Sequence, residues 1–138
     1  MTARLRILVL DDERIVCERV QAMLEKLGFR VEAFTDSSRA LDRIAVERFD
    51  VVITDLKMPG VGGIDVLSFV RQQHPATRVV VITGFATDES AQEALSRGAV
   101  DFIPKPFKLS HLRDLILRIA EERAVRAEGR DDRQSGTD

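Results

Sequence analysis

Cysteine is nearly missing from this chain of 138 residues: Cys17 stands alone, which excludes an internal disulfide and any metal site built from clustered thiolates. Long apolar runs are missing too. None approaches the length of a membrane span, and the amino terminus has no signal-peptide pattern, so the expected setting is a reducing cytoplasm away from membranes. No sign of charge dominates. The 21 Lys and Arg are interspersed with 23 Asp and Glu, for a net charge of -2, which leaves no basic footprint for direct nucleic-acid binding or for a membrane surface. There is no internal repeat, and the first apolar run is not followed by a glycine-rich phosphate loop. Asp11-Asp12-Glu13-Arg14 stands there instead, the electrostatic opposite of a nucleotide cradle.

What is present fits one compact domain able to bury a core. Arg6–Leu10 is a buried-strand candidate that runs into the acids Asp11 and Asp12. Glu13 to Leu27 has helical spacing, with Ile15, Val16, Val20, Met23, Leu24 and Leu27 on one face, Cys17 beside it and Gly28 as the stop. Arg30–Phe34 alternates like an edge strand. Asp36 or Ser37 can cap the next helix, which faces inward with Ala40, Leu41 and Ile44.

Val51–Asp55 is β-branched and apolar until it ends in a carboxylate, the pattern of a strand buried on both faces. A loop containing Pro59, Gly60, Gly62 and Gly63 leads to a helix with Ile64, Leu67 and Val70 inward, closed by His74-Pro75. A fourth strand, Arg78–Ile82, ends at Thr83-Gly84. A short helix over Asp88–Arg97 follows, with Ala91, Ala94 and Leu95 inside and Gly98 as its stop. Asp101–Ile103 is a brief fifth strand leading to Pro104-Lys105-Pro106. The last helix spans about Ser110 to the mid-120s, with Leu112, Leu115, Ile116 and Ile119 inward. Five alternations of strand and helix predict an α/β fold: a doubly wound parallel sheet with right-handed crossovers. The domain is expected to span residues 4–127, with 128–138, which carry no large apolar residue, as a disordered tail or linker stub.

In such a sheet the ends of the first, third, fourth and fifth strands share one crevice. They would deliver Asp11 and Asp12, Asp55, Thr83 and Lys105 to it. Three carboxylates held together repel, and a hard divalent cation such as magnesium, with oxygen ligands, is the usual resolution. Adding an ammonium and a hydroxyl makes a site for a phosphoryl group, with a carboxylate available as nucleophile.

These residues resemble the receiver domain of bacterial two-component response regulators. The likeness rests on Asp11-Asp12, on Asp55 followed by Met58-Pro59-Gly60, on Thr83-Gly84, and on the run Asp101-Phe102-Ile103-Pro104-Lys105-Pro106-Phe107, all in order on the right strand ends. Met58-Pro59-Gly60 and Ile82-Thr83-Gly84-Phe85 are similar to receivers of enhancer-binding activators. The resemblance implies a flavodoxin-like (βα)5 fold with strand order 2-1-3-4-5. It also implies that Asp55 accepts a phosphoryl group from a histidine kinase or phosphotransfer protein. Asp12 and Asp55 would bind Mg2+ directly, Asp11 mainly through water, and the backbone carbonyl of Lys57 would add a ligand. Lys105 would pair with the phosphoryl oxygens, and Lys105-Pro106 would be cis.

Thr83 and Phe102 would form the switch, shifting the face made by the fourth helix, fifth strand and last helix to control an output domain, an effector or a phosphorylation-dependent dimer. Phe102 stands where relatives often have Tyr, so a phenol hydroxyl is lacking. Gly62-Gly63 removes a side-chain cap from the third helix, and bulky Phe85 is expected to slow loss of the phosphoryl group.

Competing readings have their own requirements. A haloacid-dehalogenase-like phosphatase also uses an Asp after a parallel strand, but it should carry a second Asp where this chain has Lys57, and there is no room for a cap domain. A receiver-like module that only binds partners would have no need of the intact Asp11, Asp12, Asp55, Thr83 and Lys105 set. Glu13 reads either as a further acid of the site or, more commonly for its position, as a partner of the helix dipole. His74 and His111 lack ligand-spaced partners and are expected at the surface.

Overall fold

The computed structural model describes residues 4–137 apart from Pro59, Phe85 and Ala86, and without the side chains of Asp88 and of residues 125–137. Arg4–Phe107 forms one compact unit and the segment from Lys108 onward a second.

The first unit alternates β1 (Arg6–Leu10), α1 (Arg14–Lys26), β2 (Arg30–Phe34), α2 (Ser37–Val46), β3 (Val51–Asp55), α3 (Gly63–Gln73), β4 (Arg78–Thr83), α4 (Asp88–Ser96) and β5 (Asp101–Pro104). All neighbouring strands are parallel, in the order β2-β1-β3-β4-β5, as predicted. β1, β3 and β4 are inner strands, and their Val, Ile and Leu side chains are buried on both faces. Leu8, Leu10, Val52, Val79 and Val81 point to one face, where they pack with Ala40, Ile44, Val66, Leu67, Val70 and Ala94 of α2, α3 and α4. Ile7, Val9, Ile53, Val80 and Ile82 alternate with them, and α1 contributes the buried Cys17, Val20 and Leu24.

Local chemistry sets the helix ends. Asp36 caps α2, its carboxylate accepting from Ser38 N at 3.0 Å, and Thr87 with Ser90 makes a reciprocal capping box on α4. The predicted stops Gly28 and Gly98 have φ of 91° and 108°, a region costly for any residue with a Cβ. α3 starts at Gly62 with no side-chain cap, as its sequence implies.

Three helical faces differ from the sequence reading. On α1 the buried stripe is Cys17, Val20 and Leu24, while Ile15 is 53% exposed. On α4 Ala94 is buried but Leu95 is 47% exposed, and on α3 Val66 is buried while Ile64 is only half-buried. Periodicity reports that a stripe exists; the rotation of the helix about its axis is fixed by packing on the sheet.

In the second unit α5 runs from Leu109 to Thr137, and Leu112, Leu115, Ile116 and Ile119 are its buried side chains, the face expected. The helix passes the predicted mid-120s end and takes in residues expected as a tail from Glu128. No proline interrupts this extension.

Candidate functional site

The carboxyl ends of β1, β3, β4 and β5 form a shallow cleft of about 570 Å³ within the first unit. Asp12, Glu13, Asp55, Lys57, Gly84 and Lys105 are among its lining residues. The parallel register explains the meeting: Leu10 pairs with Thr54 and Asp55 with Ile82, so the strands end together and their next residues emerge on one rim.

Carboxylate oxygens of Asp11, Asp12 and Asp55 lie within 4.8 Å of one another, with Asp11 and Asp55 buried and Asp12 exposed. Lys105 faces them. Its Nζ donates to Asp55 Oδ2 at 3.0 Å and to Glu13 Oε2 at 2.8 Å. Asp11 Oδ2 pairs with the same nitrogen at 2.7 Å. The other Asp11 oxygen accepts the Glu13 amide at 2.8 Å, and Asp55 Oδ1 accepts the Lys57 amide at 3.2 Å. These bonds orient both carboxylates from the backbone.

Burial pushes the Asp11 carboxyl above its ordinary range, and the nearby Asp55 charge adds to this, against the opposing pull of Lys105 and the Glu13 amide. For Lys105, burial acts to lower the pKa, but the carboxylates of Asp11, Glu13 and Asp55 outweigh it and raise it. The ammonium stays charged throughout the neutral range.

The set is short of positive charge. One ammonium serves the three carboxylates of Asp11, Glu13 and Asp55. Three convergent carboxylates facing a single ammonium suit a hard divalent cation, so Asp11, Asp12 and Asp55 could hold a metal.

Thr83, at the end of β4, is fully buried, and its carbonyl accepts the Lys105 amide at 2.8 Å. Phe102 is half-buried on β5, pairs with Val81 and packs on the core. The Lys105-Pro106 bond is cis. Gly63 fits where no other residue would: a Cβ there would fall on the carbonyl oxygen of Asp55 and 2.7 Å from Leu56 Cα.

Glu13 is the residue the sequence undervalued. It is the N-cap of α1, gives the helix no side-chain hydrogen bond, and sends its carboxylate to Lys105, 92 positions away. His74 also departs from a plain surface position: it is half-buried, with Nε2 2.8 Å from the carbonyl of Ile44, whereas His111 is exposed. The Cys17 thiol, buried and donating to the carbonyls of Asp11 and Phe34, is pushed up to about 11 and is a core group. Phe85 lies outside the described residues.

Residues 7–117 match the family described as response regulator receiver domain. The chain belongs to that family. As a receiver it is 32% identical over 126 residues to the response regulator protein PilR of Pseudomonas aeruginosa, covering 91% of this chain and 28% of that protein. It is 34% identical over 116 residues to the transcriptional regulatory protein FixJ of Bradyrhizobium diazoefficiens, covering 84% of the chain and 57% of FixJ. The receiver thus spans roughly a quarter to somewhat over half the length of these relatives.

Among solved structures, the CheY-like receiver domain protein of Methanospirillum hungatei JF-1 superposes with a TM-score of 0.85 at 27% identity, over 90% of this chain and 99% of that one. The beryllofluoride-activated NtrC4 receiver domain dimer gives 0.80 at 31% identity, over 85% and 97%. The receiver is a signalling domain of two-component systems, and the phosphatase alternative is not favoured. Among the described residues no helix is long and apolar enough to cross a membrane.

Proposed function

We propose that this receiver takes a phosphoryl group onto Asp55 from the phosphohistidine of a sensor histidine kinase or phosphotransfer protein, in the cytoplasm, and promotes that transfer and its later hydrolysis itself. The observation that carries the reading is the convergence of Asp11, Asp12, Asp55 and Lys105, from three strand ends, on one cleft open to a donor.

In the transfer an Asp55 carboxylate oxygen forms a bond to phosphorus as the donor's N–P bond breaks, and the imidazole leaves. Lys105, already 3.0 Å from Asp55 Oδ2, neutralises charge on the phosphoryl oxygens. Asp12, Asp55 and the Lys57 carbonyl, with Asp11 beside them, would hold Mg2+, which would supply the remaining charge neutralisation. Hydrolysis returns the carboxylate, with water supplying the oxygen that leaves as phosphate.

Thr83 then turns its hydroxyl to the new phosphoryl group, and Phe102 moves into the space vacated. The rearranged surface of α4 and β5 regulates an output domain or effector, or pairs with a second receiver. Residues 4–127 constitute this unit of function.

Incubation with Mg2+ and acetyl phosphate, followed by mass spectrometry, tests the reading. One phosphoryl group on Asp55 in the native chain, and none in Asp55→Asn, is the expected result. Equal labelling of both proteins would refute it.

A further inference from the structure

The Lys105 ammonium touches three carboxylates, and they are not equivalent. Asp11 and Asp55 belong to the cluster suited to a cation; Glu13 does not. A divalent cation seated on Asp11, Asp12 and Asp55 would compete with Lys105 for the same oxygens and repel it at short range. The Lys105 backbone cannot move aside freely, since its amide is bonded to Thr83 and its chain runs straight into Pro106. Only the side chain can swing.

Glu13 is placed to receive it. Its backbone is anchored at the head of α1, its amide bonds Asp11 Oδ1, and its carboxylate already holds Nζ at 2.8 Å. At 57% side-chain exposure it carries its charge without a large desolvation cost.

Resting on the cation site proposed above, we infer that Glu13 is a positioning residue: the seat to which Lys105 withdraws when a divalent cation takes Asp11 and Asp55, keeping the ammonium at the rim where a phosphoryl group arrives. Glu13 does not touch the reacting atoms. Its effect on cation binding passes through Lys105.

Titrating the full chain with Mg2+, followed by amide NMR shifts around Asp11, Asp12 and Asp55, tests this. Glu13→Gln is expected to weaken Mg2+ binding about fivefold, the scale of one partly exposed ion pair. In a Lys105→Gln background, checked for a native amide spectrum, the same change should cost less than about twofold, since no displaced ammonium needs a seat. Glu13→Asp keeps the charge but is one methylene shorter, and it should weaken binding as Glu13→Gln does.

An equal loss in both Lys105 backgrounds, or wild-type affinity in Glu13→Asp, would reduce Glu13 to a source of field and overturn the inference. So would undiminished affinity in Glu13→Gln. Failure of the wild-type chain itself to bind Mg2+ is a different result: it removes the cation site first, and this inference with it.

Discussion

At the carboxyl end of the strands, Asp11, Glu13 and Asp55 share the ammonium of Lys105, with the Asp12 carboxylate close by. Along the opposite end and the β2 edge, charges are matched. Arg43 grips Glu32 through two bonds of 2.8 and 3.0 Å, Arg6 reaches Glu47 at 3.0 Å, and the Arg6 guanidinium lies 5.2 Å from the centre of the Phe49 ring. The matched network is half-exposed and could be lost at small cost. The unmatched cluster buries two of its carboxylates, Asp11 and Asp55, beside one ammonium, an arrangement that folding stability alone would not favour. Surplus charge of one sign, concentrated at one end of a sheet, marks where a ligand of the other sign is to be received.

Removing Lys105 should break this contrast most severely. Lys105→Met leaves Asp11 buried beside Asp55 with no cation, and about 3 kcal/mol of unfolding free energy should be lost in urea titrations without metal. Saturating Mg2+ should restore much of it, since a ligand at a hundredfold its dissociation constant contributes about 2.7 kcal/mol. Equal losses with and without Mg2+ would show that the acids do not act as one charge cluster.

Gly63→Ala tests the steric side of the same end. Its Cβ would meet the Asp55 carbonyl, so α3 or the acceptor loop must shift, with a loss of about 2 kcal/mol and slower labelling of Asp55 by acetyl phosphate. Native stability and rate in this variant would mean that the approach is not tight.

Asp12→Asn relieves the surplus and should raise metal-free stability by roughly 1 kcal/mol while weakening Mg2+ binding. A loss of stability instead would contradict the charge imbalance.

The smallest effect belongs to the matched end. Hydrogen bonding to Arg43 holds the Glu32 carboxyl below its usual value. A lowered folded-state pKa stabilises above the unfolded value, near 4.5, and that contribution is lost as pH falls through the lowered one. Glu32→Gln should therefore shift the urea midpoint slightly at neutral pH, and the difference from wild type should close in acid. A difference that persists or widens in acid would assign the effect to packing.

Much of this contrast is legible in the chain itself, for an identifiable reason. Apolar runs of fixed length set where each strand ends, and a parallel sheet aligns those ends, so Asp11, Asp55, Thr83 and Lys105 can be brought together without knowing any side-chain position. Side-chain reach is another matter. The Glu13–Lys105 contact depends on two rotamers and on where α1 begins, neither of which leaves a periodic trace. The rotation of α1 that buries Cys17 and exposes Ile15, and the carbonyl that accepts His74, are settled by packing partners far away in the sequence. The length of α5 leaves no apolar stripe to follow, so a search for buried faces stops too early.

The bare glycine at the head of α3 has a mechanical corollary. With backbone resting against backbone on that side, the loop after Asp55 has no slack there to absorb a displacement. Under the proposed phosphorylation of Asp55, displacement would run the other way, across the seam with β4, where the Leu56 amide hangs on the Ile82 carbonyl and Thr83 comes next. A hard stop on one flank would then give that movement its direction.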